Sequence, residues 1–153
     1  MTPNAPTKSF KKAYTGRLDD KRRLTIPADW RFDGEGASSY LAVYHPAHAA
    51  IMVLPPDMKD RIEAASRRPE IMSDPVKFDA LVRLGELSQD ISCDKAGRVV
   101  LDESLLAAAG IDRDVELKGA FSSFLIRAVN PPAPDRESPA AKAMLEALSE
   151  LMK

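Results

Sequence analysis

Apolar positions in this chain alternate over short runs, switch once to a helical period, and then return to short runs. Ala13 to Leu18 and Leu24 to Ile26 read as two short strands around a charged turn, the second stopped by Pro27. Tyr40–His45 and Ala50–Leu54 are β-branched and aromatic enough to be strands, with Pro46, Ala47 and His48 as the turn between them. After Pro55-Pro56-Asp57 the period becomes helical, with Met58, Ile62 and Ala65 on one face to about Arg67. A second helix opens with Asp74 as N-cap and Pro75 at its first position, and runs to about Leu87 with Phe78, Leu81, Val82 and Gly85 as its expected buried face.

Strands return at Gln89–Cys93 and Val99–Leu101, then a short helix over Glu103–Ala109 ended by Gly110, then strands at Val115–Lys118 and Phe121–Ala128. Asn130-Pro131-Pro132-Ala133-Pro134 cannot continue a sheet. A last helix, opened by Ser138-Pro139, is therefore expected to stand apart from the core topology, its stripe of Met144, Leu145, Leu148, Leu151 and Met152 needing a partner surface. The fold class is mixed, mainly β with short helices. Its parts are a flexible basic arm over 1–11, a first half over 12–56, a helical connector over 57–88, a second half over 89–129, and a proline-rich linker with tail helix over 130–153.

The two strand-rich halves repeat one another. At an offset of 75, Asp19-Asp20-Lys21-Arg22-Arg23-Leu24-Thr25-Ile26 aligns with Asp94-Lys95-Ala96-Gly97-Arg98-Val99-Val100-Leu101, so that Asp and Arg recur four apart before three strand-type residues. Halves of this kind interlock when neither can bury its apolar face alone. On an extended strand Asp19 and Arg23 would lie about 13 Å apart, so the pairing requires a tight turn. In the second copy Gly97, directly before Arg98, supplies the positive φ of such a turn. The carboxylate can then accept turn N–H groups or steady the guanidinium while the Arg fork projects outward. An outward Arg of this sort suits guanine O6 and N7, and Lys21, Arg22 and Lys95 beside it suit phosphates.

Charge supports that partner through its distribution. The 153-residue chain carries net −1, yet residues 1–31 hold eight Lys and Arg against three Asp, a local +5 that leaves −6 on the remainder. With 44% hydrophobic residues the chain can bury one sizeable core or two small interlocked ones. A single cysteine, Cys93, makes no internal disulfide, and no leader-like or membrane-length apolar run stands in the sequence, so a cytoplasmic location is expected.

The segment from Tyr14-Thr15-Gly16-Arg17-Leu18-Asp19 to Pro27, together with Cys93-Asp94-Lys95-Ala96-Gly97-Arg98, resembles the MraZ family, whose chains carry two SpoVT-AbrB-type halves each marked by Asp-x-x-x-Arg. The resemblance covers about residues 12–128. It implies a duplicated swapped-hairpin β-barrel with a central helical pair, ring-shaped homo-oligomers, nucleoid association, and a repressor of the division and cell-wall gene cluster. Such a repressor binds short direct repeats of double-stranded DNA upstream of its own operon. The residues implied to contact DNA are Asp19 and Arg23, and Asp94 and Arg98. The first motif departs from the family in carrying Arg22 in place of glycine, which predicts a strained or differently shaped turn.

Other chemistries fit less well. Asp19 and Asp20 stand among Arg17, Lys21, Arg22 and Arg23, which keep both ionised and make a poor general acid, so no enzyme, cofactor or small-molecule substrate is expected. His45 and His48 have a metal-like spacing but no second ligand pair, and are expected at the surface. Cys93 reads as a small core residue, and Trp30, Phe32 and Phe78 as core or protomer-interface residues. An AbrB-like antitoxin would match one half only. The alternative from another class is an interaction module with only weak DNA binding that docks on a partner protein through the tail helix; packing of that helix on its own or a neighbouring protomer is the simpler reading.

Overall fold

The computed structural model describes residues 8–32 and 39–153. Among the described residues eight strands and five α-helices follow in order: β1 (Ala13–Arg17), β2 (Arg23–Thr25), β3 (Tyr40–His45), β4 (Ala50–Leu54), α1 (Pro56–Ser66), α2 (Pro69–Met72), α3 (Pro75–Glu86), β5 (Ser88–Ile91), β6 (Arg98–Val100), α4 (Glu103–Ala108), β7 (Asp114–Gly119), β8 (Phe124–Ala128) and α5 (Pro139–Leu151). A 3-10 turn at Ala28–Trp30 occupies in the first half the place that α4 occupies in the second. Among the described residues no helix is long and apolar enough to cross a membrane.

The repeat is visible in how the strands pair. Six strands form one antiparallel sheet in the order β1-β7-β8-β4-β3-β5, and β2 and β6 form a separate two-stranded ribbon. Exchanging each strand for its counterpart, β1 with β5, β3 with β7 and β4 with β8, reverses that order and leaves it unchanged. Each half thus closes its sheet with a strand from the other: β1 runs beside β7, and β5 beside β3. The pseudo-twofold axis passes between residues 75 apart, Ile51 opposite Ile126 in the sheet and Leu24 opposite Val99 in the ribbon.

One face of the sheet packs on the ribbon, the 3-10 turn and α4 around Trp30, whose ring stands edge-on to Phe10 at 5.9 Å and to Tyr14 at 5.1 Å. Leu24, Ile26, Val99 and Leu101 turn inward from the ribbon and are buried. On the other face Val43 and Leu54 meet Ile62, Ile71, Leu84, Met144, Leu148 and Leu151 from the helices. The tail helix therefore does not stand apart: α5 seals a second core, and its stripe is covered by this chain's own helices, apart from Leu145, which is exposed. The Ser138 hydroxyl caps it by accepting from the Ala141 N–H at 3.1 Å.

Four further expectations change. Phe10, placed in the flexible arm, is buried and bridges to Phe121, while residues 1–7 of that arm lie outside the described residues. In α3 the buried positions are Ala80 and Leu84, with Leu81 packed beside them, whereas Phe78 is 41% exposed and Val82 45% exposed. Glycine 85 has open space around it and buries nothing. The α3 face turned inward is thus rotated from the one that Phe78 and Val82 predict, and presents Ala80, Leu81 and Leu84 instead.

His45 is not at the surface. It is only 6% exposed, with its ring 4.8 Å from that of His48, and its Nδ1 has no hydrogen-bond partner among the described residues. Burial, and next the neighbouring His48, lower its pKa from 6.5 to about 4. The neutral ring is the folded form, so its stabilising contribution is whole above 6.5 and is lost as pH falls toward 4. Urea midpoints measured down this range should fall, and His45→Gln should flatten that fall.

Candidate nucleic-acid interface

Each ribbon strand is entered through the same turn. In the first, Asp19 N–H donates to the Arg23 carbonyl at 3.1 Å and Arg22 N–H to the Asp19 carbonyl at 3.0 Å; in the second, Asp94 N–H donates to Arg98 at 2.8 Å and Gly97 N–H to Asp94 at 2.9 Å. The carboxylates act alike. Asp19 Oδ1 accepts from the N–H groups of Lys21 (2.9 Å) and Arg23 (2.8 Å), and Asp94 Oδ1 from those of Ala96 and Arg98 (both 2.9 Å). The second oxygen of each takes the guanidinium Nε of its arginine, Arg23 at 2.6 Å and Arg98 at 3.0 Å. The aspartate thus does both things that the sequence leaves open, folding the turn and holding the arginine.

Those bonds, led by the N–H of Arg23 for Asp19 and of Arg98 for Asp94, hold both carboxyls below their ordinary value of 3.8. Both are ionised at neutral pH, and the contribution they make to folding is lost only as pH falls below 3.8. With Nε occupied, each guanidinium keeps its two terminal nitrogens, and neither Arg23 nor Arg98 forms another side-chain hydrogen bond among the described residues.

The turn at Arg22 is not differently shaped. Arg22 takes φ 60° and Gly97 φ 77°, so the arginine accepts the left-handed conformation that glycine adopts freely. The strain is offset by contacts just beyond β6, where Arg22 Nε donates to the Leu101 carbonyl at 3.2 Å and Nη1 pairs with Glu103, the first residue of α4, at 3.0 Å. At the second turn the same service comes from another position: Arg31 Nε donates to the Ile26 carbonyl at 2.7 Å, and its guanidinium fills the space where a Cβ on Gly97 would stand. Ile26 and Leu101 are repeat counterparts, so each turn has one guanidinium on the same carbonyl. Gly97 is required for room as well as for φ.

The structure therefore separates the candidate residues. Lys21 and Lys95 lie exposed on the turns, while Arg22 is tied to Glu103 and Leu101. Asp20 is bound to Arg113 at 2.8 Å and is no partner for Asp19. Arg31, Glu103 and Arg113 were not singled out by the sequence; none recurs at the repeat offset, and only the fold brings them to the turns.

Antiparallel pairing sets Arg23 opposite Val100 and Thr25 opposite Arg98. Since Leu24 and Val99 point inward, Arg23, Thr25, Arg98 and Val100 share the outer face. The two arginines are diagonal neighbours there, about 7–8 Å apart at the backbone. Fold and site together define an internally duplicated protein of two interlocked halves, with one outward ribbon on the axis between them.

The comparisons with known proteins agree. No family model matches the chain, but over 118 residues, 75% of its length and 79% of the relative's, it is 34% identical to the transcriptional regulator MraZ of Polaromonas sp.. It is 31% identical over 111 residues (72% and 75%) to that of Parafrankia sp., and 31% over 147 residues (92% and 97%) to that of Janthinobacterium sp.. The chain belongs to the MraZ family of transcriptional regulators.

Proposed function

We propose that this protein is a sequence-specific DNA-binding transcriptional regulator that lays its β2–β6 ribbon in the major groove. The observation that carries the reading is the pair of carboxylate-held arginines on one outward ribbon face. A two-stranded ribbon fits the roughly 12 Å major groove, and a steadied guanidinium presents two donors to guanine O6 and N7. In this reading Arg23 and Arg98 contact bases, Asp19 and Asp94 position them, and Lys21 and Lys95 bind phosphate. Arg22 reaches phosphate only after leaving Glu103. Interlocked halves with a reversible strand order are what a duplicated SpoVT-AbrB-type swapped hairpin would give.

The resemblance supplies the finer parts: a repressor of the division and cell-wall genes, associated with the nucleoid, acting as a homo-oligomeric ring on direct repeats upstream of its own operon. Ring assembly accounts for DNA binding by a chain of net −1, because several copies present their +5 segments together. A monomer in micromolar solution would overturn that part. The test of the whole is binding to a labelled fragment from upstream of the gene, against a scrambled one, across a salt series. Preference for the upstream fragment with a steep salt slope is expected, and absence of preference at every salt concentration would refute the reading. Lys21→Ala should weaken binding to all sequences alike and lower the salt slope by about 1.

A further inference from the structure

The outer face of the ribbon carries two side chains that the arginine motif does not use. Thr25 and Val100 are repeat counterparts, both exposed, each directly across the strand pair from one of the arginines: Thr25 from Arg98, and Val100 from Arg23. Val100 is 46% exposed, although the residue before it, Val99, is fully buried in the core. The two halves differ at every position of the turn apex, Asp20, Lys21 and Arg22 facing Lys95, Ala96 and Gly97 in the repeat, yet here they hold isosteric side chains. Threonine and valine share a β-branched outline with a methyl at its tip, and differ only in one hydroxyl.

We propose that Thr25 and Val100 read thymine, each placing a methyl against the C5-methyl of a thymine next to the base its cross-strand arginine contacts. The inference rests on the major-groove reading above and deepens it. Of the four base pairs only those with thymine display an apolar group in the major groove, and small β-branched or alanine side chains are what meets it. Cross-strand neighbours in an antiparallel pair are about 4.5–5.5 Å apart, so a base-reading arginine brings its partner into the groove over the adjacent base step. The operator so specified has a thymine beside each contacted guanine.

The experiment replaces thymine by uracil throughout the upstream fragment, which removes the methyl groups and keeps every Watson–Crick hydrogen bond. The loss of two buried methyl contacts predicts a roughly 10-fold loss of affinity for the wild-type protein. The Thr25→Ser/Val100→Ser double variant should bind the thymine fragment about as weakly as wild type binds the uracil one, and should lose the distinction between the two fragments. Thr25→Val should keep it. Equal wild-type affinity for both fragments, or a double variant as sensitive to uracil as wild type, would overturn the inference while leaving guanine reading by Arg98 intact. Wild-type protein that prefers neither fragment over scrambled DNA would overturn the groove reading and this inference together.

Discussion

Arg98→Ala is expected to weaken binding to the upstream fragment by about 1–3 kcal/mol, roughly 5- to 150-fold, with little change on scrambled DNA. The expectation comes from how the side chain is held. Its Nε is engaged by Asp94 and the turn N–H groups are engaged by the same carboxylate, so the guanidinium plane is set before DNA arrives and little rotamer entropy is lost on contact. Lysine cannot replace it, because a point charge neither takes the Asp94 oxygen in that plane nor offers two parallel donors to guanine. Arg98→Lys should therefore fail to restore the preference for the upstream fragment. Equal losses on specific and scrambled DNA would mean that Arg98 binds phosphate.

The second large effect is on folding. Leu151→Ala should cost about 2–5 kcal/mol of stability, read as a lowered urea midpoint. Leu151 is buried between α5 and the helices that cover β3 and β4, in the smaller of the two cores, where few other residues can close the space it leaves. The ribbon belongs to the larger core. DNA affinity measured in the cold, where the variant remains folded, should thus be close to that of wild type. An unchanged midpoint would mean that α5 is not a structural seal, and would return the tail helix to the role of a docking peptide.

Much of this architecture was legible in the amino-acid order, for a physical reason. Strands at Tyr40–His45 and Ala50–Leu54, the cap at Asp74 and the two Asp-x-x-x-Arg turns are local features, written in residues adjacent to each other, and they occur where expected. What was not legible depends on partners distant in sequence. Phe10 looks like part of a polar arm until Phe121, Trp30 and Phe124 are brought around it. Phe78 and Val82 form a convincing apolar face, but the helix buries Ala80 and Leu84 instead, with Leu84 packed among residues of α5 that lie some sixty positions further along the chain. Nor does any local rule show that Arg31 completes a turn more than sixty residues away.

If the two turns read DNA as proposed, the Arg31 contact bears on which operators fit the protein. Regulators assembled from two identical subunits must change both reading heads with every mutation, and their operators mirror that by being palindromic. In the proposed reading the two turns are separately encoded heads, and their supports differ: one is braced by its own Arg22, the other has Gly97 at that position and borrows Arg31. A near-symmetric scaffold with independently mutable heads is free to settle on an operator without inverted symmetry, and each head can drift in sequence preference while its neighbour keeps the molecule on DNA.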